Sequence, residues 1–184
     1  MSPRYAELEA ETARHLDGLH AFALQLAGNA GDAERLVIDT MLRARERWEH
    51  FRLGTDVRVW LFTLLHGLFA GRRQRSEAMP SIGELDDGAA GESIGEVDPE
   101  GEVYRSLTDD EIFVALDALP EPYRVPVLLA DLHAFDYAAI AEVLGLPERT
   151  VEMRLFRGRG LLQRQLVGYA VAMGHLRLPD APAG

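Results

Sequence analysis

Residues 136–158 read DYAAIAEVLGLPERTVEMRLFRG, and this stretch decides the fold. Asp136 has the side chain of an N-cap, since its carboxylate suits the free N–H groups of a first helical turn. Ile140, Ala141 and Leu144 follow at helical spacing, and Gly145 stands where a helix commonly ends in a left-handed residue. Leu146-Pro147-Glu148 turns the chain. A second helix then carries Val151, Leu155, Gly158 and Leu162 on one face. Helix, glycine turn and helix make a helix-turn-helix. Arg149, Arg154, Arg157, Arg159 and Arg164 lie on or near the second helix, against Glu148 and Glu152. Phosphate contact requires a local excess of positive charge of this kind.

Working outward, a helical pattern begins near Pro99, where proline suits a first turn. It runs through Val103, Leu107, Ile112, Leu116 and Leu119, and Pro120 stops it. The first half holds three more helical patterns. Leu16, Leu19, Ala23 and Leu26 recur at helical spacing until Gly28-Asn29. Asp32 is read as the cap of the next helix, whose apolar face is Ala33, Leu36, Val37, Thr40, Met41, Ala44 and Trp48. Glu34, Arg35, Asp39, Arg43, Glu46 and Arg47 form its other face. Phe51 to Thr55 reads as a loop. Val57, Trp60, Leu61, Leu64, Leu65 and Leu68 form a third stripe, running out in Arg72, Arg73 and Arg75. No β pattern persists and no repeat is visible. The expected fold is all-α: a helical domain over 12–76, a flexible acidic linker over 77–98 rich in Gly and Ser, a helix-turn-helix domain over 99–167, and a tail over 168–184. Tyr169, Val171, Met173, Leu176 and Leu178 either extend the last helix or dock on the first domain.

The charge distribution fits that division. Net charge is −11, with all 19 basic residues arginine. Residues 1–76 hold 11 Arg against 10 acids, residues 77–111 hold 1 against 12, and residues 112–184 hold 7 against 8. The whole excess therefore sits in the connector, and both halves are nearly neutral. The absence of cysteine excludes a disulfide scaffold, thiolate metal ligands and a cysteine nucleophile, and is compatible with a reducing cytosol. No apolar run approaches the about 20 residues of a membrane span, and the acidic start MSPRYAELEAE is no secretory signal. His15, His20, His50, His66, His133 and His175 show no metal-ligand spacing. There is no phosphate loop and no nucleophile elbow, and the paired acids Asp86-Asp87 and Asp109-Asp110 lie in or beside the linker. No catalytic residue, metal or cofactor is expected.

At this point the sequence resembles a known family. Leu26-Ala27-Gly28-Asn29, Asp32 to Thr40, Trp48-Glu49-His50-Phe51-Arg52 and Val59-Trp60-Leu61-Phe62-Thr63 resemble the promoter-melting domain of group IV, or extracytoplasmic function (ECF), sigma factors of the sigma-70 family. Ala115 to Glu121, Tyr137 to Gly145 and Thr150 to Arg157 resemble the family's other domain, in the same order and with a linker between. The resemblance implies a dissociable, non-catalytic specificity subunit in the cytoplasm. It would bind core RNA polymerase, read the −10 and −35 promoter elements, help melt the duplex, and answer to an anti-sigma factor.

Carried over residue by residue, the resemblance places Arg35, Asp39, Arg43 and Arg47 on the polymerase-binding face. It places Arg52, Thr55 and Asp56 in the segment that holds a base flipped from the −10 element, where new contacts must offset unstacking. Trp60 is either a stacking platform beside that loop or part of the core. Arg72 and Arg73 would hold backbone phosphates. Arg149, Glu152, Met153, Arg154, Phe156 and Arg157 would face the −35 element, with Arg157 reaching phosphate or guanine and Phe156 either touching a thymine methyl or packing. Departures accompany the match. Glu152 stands where the family is usually basic or small, and a carboxylate there accepts from cytosine N4. Gly67 and Gly71 replace frequent Asn and Asp, Arg35 replaces a frequent acid, and Gly158 and Gly160 are expected to loosen the recognition helix. Two other readings remain: a sigma-like module that sequesters an anti-sigma factor, against which the retained arginines and the absence of an attached receiver domain count, and a helix-turn-helix regulator, which leaves the first domain unexplained.

Overall fold

The computed structural model describes residues 3–48, 51, 56–76 and 109–172. The acidic linker, the expected helix start at Pro99 with Val103 and Leu107, and the tail beyond 172 lie outside these residues. Among the described residues seven α-helices follow in order: α1 Pro3–Ala27, α2 Ala30–Arg47, α3 Val57–Ser76, α4 Asp109–Asp117, α5 Glu121–Val127, α6 Tyr137–Leu144 and α7 Glu148–Ala172, with one π-helical turn at Leu128–Leu132. The expected all-α class is what the structure shows, with no strand among the described residues. They form two compact units: α1 to α3 with residues 128–151, and α4, α5 and the part of α7 from residue 152.

In the first unit, α1, α2 and α3 pack pairwise on one another. Their shared core is Leu19, Phe22, Ala23 and Leu26 of α1, Ala33, Leu36, Val37 and Ala44 of α2, and Val59, Leu61, Phe62, Leu64 and Leu65 of α3. Each large side chain buried here contributes about 1.5–3 kcal/mol. Thr40 is buried on the same face and its hydroxyl is satisfied by the Leu36 carbonyl at 2.7 Å. Of the stripe read for α2, Ala33, Leu36, Val37, Thr40 and Ala44 are buried and Met41 and Trp48 half-buried, while Leu16 of the α1 stripe is 43% exposed and Phe22 takes the central place.

The cap of α2 is Asn29, correcting the assignment to Asp32. Gly28, in the left-handed region at φ 71°, ends α1, and α2 starts at once at Ala30. The Asn29 side-chain oxygen accepts from the Asp32 N–H at 2.9 Å, and its amide nitrogen donates to the Asp32 carboxylate at 2.9 Å. Asp32 thus lies in the first turn, where an anion is favoured by the free N–H groups.

The helix-turn-helix follows its sequence reading closely. The Asp136 carboxylate accepts from the Ala139 N–H at 2.8 Å. Gly145 closes α6 at φ 65°, its N–H directed to the Ala141 and Glu142 carbonyls. Ahead of it lies what the sequence reading missed. Pro120 does not merely stop α4. It opens α5, its carbonyl accepting from the Tyr123 and Arg124 N–H groups, each at 2.9 Å. Pro126 inside α5 lacks an N–H, and the chain widens directly into the π turn, closed by His133 N–H to the Leu128 carbonyl at 3.1 Å. Ala134 then takes φ 51°, so that His133 and Phe135, on either side of it, are both buried.

In the second unit Ala115, Leu116, Leu119, Val125, Val127, Leu155, Leu162, Leu166 and Ala170 are buried, and Arg124 pairs with Asp117 at 3.3 Å. Gly158 is buried against α5: a Cβ there would lie 2.8 Å from Val127 Cγ2 and 3.1 Å from the Tyr123 carbonyl oxygen. Its part in α7 is close approach to α5, where the sequence reading expects a loosening of the helix. Gly67, in contrast, meets nothing within 4 Å. Helix α7 continues through Tyr169 and Val171 to Ala172, so the start of the tail does extend the last helix.

Two outcomes are expected in urea unfolding. Gly158→Ala destabilises by about 1–3 kcal/mol through overpacking, whereas Gly67→Ala stabilises by about 0.5–1 kcal/mol through helix propensity alone. The second concerns His133, whose burial, with the Arg58 charge adding to it, holds the imidazole down to about 4 from 6.5. Below its ordinary pKa the unfolded chain binds a proton that the folded chain refuses. Stability therefore falls as pH drops from 6.5 towards 4, by up to about 1.4 kcal/mol per pH unit, and is insensitive to His133 above that window. A His133→Gln variant should show a shallower fall in the urea midpoint between pH 7 and pH 4.5.

Candidate functional site

Three surfaces carry the side chains singled out from the sequence. The first is the outer face of α2. Arg35, Arg43 and Arg47 are exposed and Asp39 half-exposed, at the i, i+4, i+8 spacing that aligns them on one face. Arg35 lies 3.7 Å from Asp32 and Arg43 3.5 Å from Glu46, loose pairs within the helix that hold little energy. Between these charges Ile38 is 58% and Leu42 53% exposed. The sequence reading passed over both, although their spacing of four against the charged stripe was the available signal. A surface of arginines around exposed aliphatics is suited to a protein partner.

Asp39 and Arg72 had been given different roles, one toward the polymerase and one toward DNA. The structure pairs them: the Arg72 guanidinium donates to the Asp39 carboxylate across α2 and α3, with both side chains part-exposed. Arg73 beside it is exposed.

The second surface lies around the start of α3. Arg52 and Thr55 fall outside the described residues, but the two ends of their loop do not. Phe51 stacks on Trp48, ring centroids 4.9 Å apart and planes at 4°, and Trp60 leans on both at 5.0 and 6.0 Å. Asp56 caps α3, its carboxylate accepting from the Arg58 N–H at 2.8 Å and its carbonyl from the Trp60 N–H at 3.0 Å. Trp60 is half-buried within this aromatic group. It shares in packing and stays part-exposed.

The third surface is the outward face of α7. Arg149, Glu152, Met153 and Phe156 share it at i, i+3, i+4, i+7 spacing, and all are exposed, Phe156 by 82%. Arg154 and Arg157 flank it, half-buried. The opposite face, with Val151 and Leu155 fully buried, is the packing face. A phenylalanine so exposed beside arginines has the character of a contact residue. The Gly145 turn sets this face at the end of α6, as in a recognition helix.

A further group has no counterpart in the sequence reading. Arg58 donates to the His133 carbonyl and its guanidinium lies over the Phe135 ring, 4.2 Å from the centroid. The His133 Nε2 is 3.0 Å from Gln25 Oε1, and its ring meets Phe22 and Phe62 edge-on at 5.3 and 5.2 Å. Among the described residues no cluster of His, Cys, Asp or Glu could hold a metal ion, and no helix is long and apolar enough to cross a membrane.

Comparison with known proteins bears on these surfaces. Residues 12–66 match the family model of the Sigma2 domain of PhyR, and residues 109–162 that of Sigma-70, region 4. The ECF RNA polymerase sigma factor EcfG of Rhodopseudomonas palustris (strain TIE-1) is 33% identical over 148 residues, covering 80% of this chain and 78% of that protein. The ECF RNA polymerase sigma factor SigM of Mycobacterium tuberculosis (strain H37Rv) is 30% identical over 156 residues, 85% of this chain and 74% of that one. Among solved structures, the sigma factor RpoE in complex with the anti-sigma factor NepR from Bartonella quintana aligns with a TM-score of 0.66 at 26% identity, covering 87% of this chain and 96% of that one. With both domain models matched in order and relatives aligned over most of their own length, this chain belongs to the ECF family of RNA polymerase sigma factors, the initiation factors of promoter-specific transcription.

Proposed function

We propose that the chain binds core RNA polymerase and directs it to promoters by reading a −10 and a −35 element and helping to open the duplex. In this reading residues 12–76 bind the polymerase through Arg35, Asp39, Arg43 and Arg47, with Ile38 and Leu42 between them. The same domain engages the −10 element through Arg52, Thr55, Asp56, Trp60, Arg72 and Arg73. Residues 99–167 read the −35 element through Arg149, Glu152, Met153, Arg154, Phe156 and Arg157. Residues 77–98 connect the two, residues 168–184 form the tail, and the site of action is the cytoplasm. As a non-catalytic subunit it needs no cofactor, and an anti-sigma factor is its expected regulator.

The observation that carries the reading is the outward face of α7. It sets Phe156 and Met153 beside Glu152 and Arg149, opposite a fully packed face. Such a face offers a groove apolar contact for a thymine methyl, a carboxylate acceptor for cytosine N4, and arginine for guanine or phosphate. The geometry around the second surface refines two roles. Asp56 acts by capping α3, and Phe51, Trp48 and Trp60 hold the other end of the loop that would receive an unstacked base. Arg72, paired with Asp39, links the polymerase face to the DNA face within one domain.

The match of residues 12–66 to the PhyR Sigma2 model favours one other reading, a sigma-like module that captures an anti-sigma factor without starting transcription. In vitro transcription with core polymerase and a promoter library randomised in both elements separates the two. Transcripts from a subset of members support initiation, and complete silence despite core binding favours capture.

Two variants test the assignments. Arg43→Glu with Arg47→Glu should weaken core binding by at least about tenfold, the loss of about 1.4 kcal/mol, with unchanged helical circular dichroism. Unaltered binding would remove the α2 face from the assignment. Glu152→Arg should change the preferred base at one position of the −35 element, since one direct contact discriminates by about 1–3 kcal/mol. An unchanged profile would mean that Glu152 faces solvent in the complex.

A further inference from the structure

Helix α7 is longer than the reading face on it requires. Its 25 residues rise about 37 Å at about 1.5 Å each, whereas the major groove is about 12 Å wide. Glu152, Met153 and Phe156 occupy little more than one turn near its start, and the helix then runs on to Ala172. Charge along this remainder has one sign. From Met153 to Ala172 there are four arginines and no acid, in a chain whose net charge is −11. Arg154 and Arg157 flank the reading face. Arg159 and Arg164 lie beyond it, both exposed, and neither makes a base contact in the proposed function. Their placement follows the helical period. Counted from Phe156, Arg159 is at i+3, Gly160 at i+4, Gln163 at i+7 and Arg164 at i+8, so the four continue the outward stripe. Leu155, Leu162 and Leu166 keep to the buried side.

Gly160 sits in the middle of that continuation. Packing requires Gly158, two residues earlier, but not Gly160, where a Cβ would meet nothing within 4 Å. A glycine inside a helix costs stability relative to alanine, so folding alone favours a side chain at 160. What glycine provides instead is close approach of a second backbone. Here bare helix lies between two exposed arginines, in line with a face suited to bases. That is the composition needed where a helix leaves the groove and crosses the sugar–phosphate ridge. Gly160 lies about 6 Å and Arg164 about 12 Å beyond Phe156 along the axis, so with Phe156 in the groove Arg164 stands at its rim.

We propose that Arg159, Gly160 and Arg164 form a phosphate subsite that grips the DNA backbone beside the −35 element, with Gly160 as the point of close approach and Gln163 as a further donor. The subsite deepens the proposed function and rests on it. Its ligand is a backbone phosphate, so it adds affinity for every sequence and discriminates among none. Base choice then belongs to the first turns of α7, and the register of the helix on the duplex to the turns that follow. A change at Glu152 or Phe156 alters which promoter is bound, and a change at Arg164 alters how tightly any promoter is bound.

The test measures promoter duplex binding by the full-length chain assembled with core polymerase, between about 50 and about 200 mM salt. Arg164→Ala should lower the salt slope by about 0.9, the loss of one phosphate contact. The wild-type advantage should therefore shrink about 3.5-fold across that range. Base preference within the −35 element should stay as it was, whereas Glu152→Arg changes it. Arg164→Lys keeps the charge and should restore most of the slope. Gly160→Gln should raise the urea midpoint, since helix propensity improves and the side chain enters open space, and should nevertheless weaken promoter binding. A purely structural role for Gly160 does not give a more stable protein with poorer DNA binding. Methylphosphonates placed singly at phosphates flanking the −35 element locate the contact. The wild type should lose affinity at one of them, and Arg164→Ala should be indifferent to the same substitution. Circular dichroism reports whether each variant is folded.

An unchanged salt slope in folded Arg164→Ala would overturn the subsite, and so would a methylphosphonate profile identical in variant and wild type. Weaker binding of Arg164→Ala to core polymerase without DNA would assign the arginine to a protein contact and overturn it as well. Promoter binding by Gly160→Gln as tight as that of the wild type would remove the close approach. A wild-type chain that assembles with core polymerase and binds no promoter duplex would instead overturn the proposed function, and the subsite with it.

Discussion

Phe62 meets more of the first unit's cross-chain contacts than its one position would suggest. Its ring touches Phe22 of α1, Phe135 and the His133 ring, and its own helix packs on α1, α2 and α6. Around it every polar group is matched: the imidazole to Gln25 and the Arg58 guanidinium to the His133 carbonyl. Such a mixed aromatic and polar cluster is demanding, because in a low-dielectric interior an unpaired group costs more than a neutral gap. It fixes one arrangement of the segments that meet there, which a purely aliphatic seam would not do.

What could be read from the sequence is what is local. The Asp136 cap, the Gly145 turn and the alternating faces of α7 each depend on residues within a few positions of one another, and all stand in the structure. The cap of α2 was misread by three residues because Asn29 and Asp32 both qualify chemically, and the choice depends on how tightly Gly28 turns the chain. The short helix α5 was missed for a different reason. Its sequence EPYRVPV carries a proline inside, which by propensity argues against a helix, and packing overrode that. His133 was only one of six scattered histidines. Its meaning lies in Gln25, 108 residues away, and no spacing rule reaches that far.

The candidate surfaces divide in the same way. Charges at i, i+4 spacing on α2 and the exposed face of α7 followed from periodicity. The pairing of Asp39 with Arg72 did not, since it requires knowing which faces of α2 and α3 meet. That pairing ties two stretches that resemblance had assigned to different tasks. A change at either residue therefore reaches both surfaces, and effects there will not add as they do for distant sites.

The two faces of α7 have a consequence for how such proteins diversify. Val151, Leu155 and Leu162 are buried and Gly158 admits no side chain beside Val127, while Arg149, Glu152, Met153 and Phe156 face outward. Under the proposed function, mutations that retune recognition fall on positions that bear little of the folding free energy, and mutations that threaten folding fall on positions that read nothing. Selection can then explore new target sequences along one side of the helix almost without a stability cost. A lineage of paralogues could acquire non-overlapping sets of genes through a handful of exposed codons, with the buried side of the same helix left as their common inheritance.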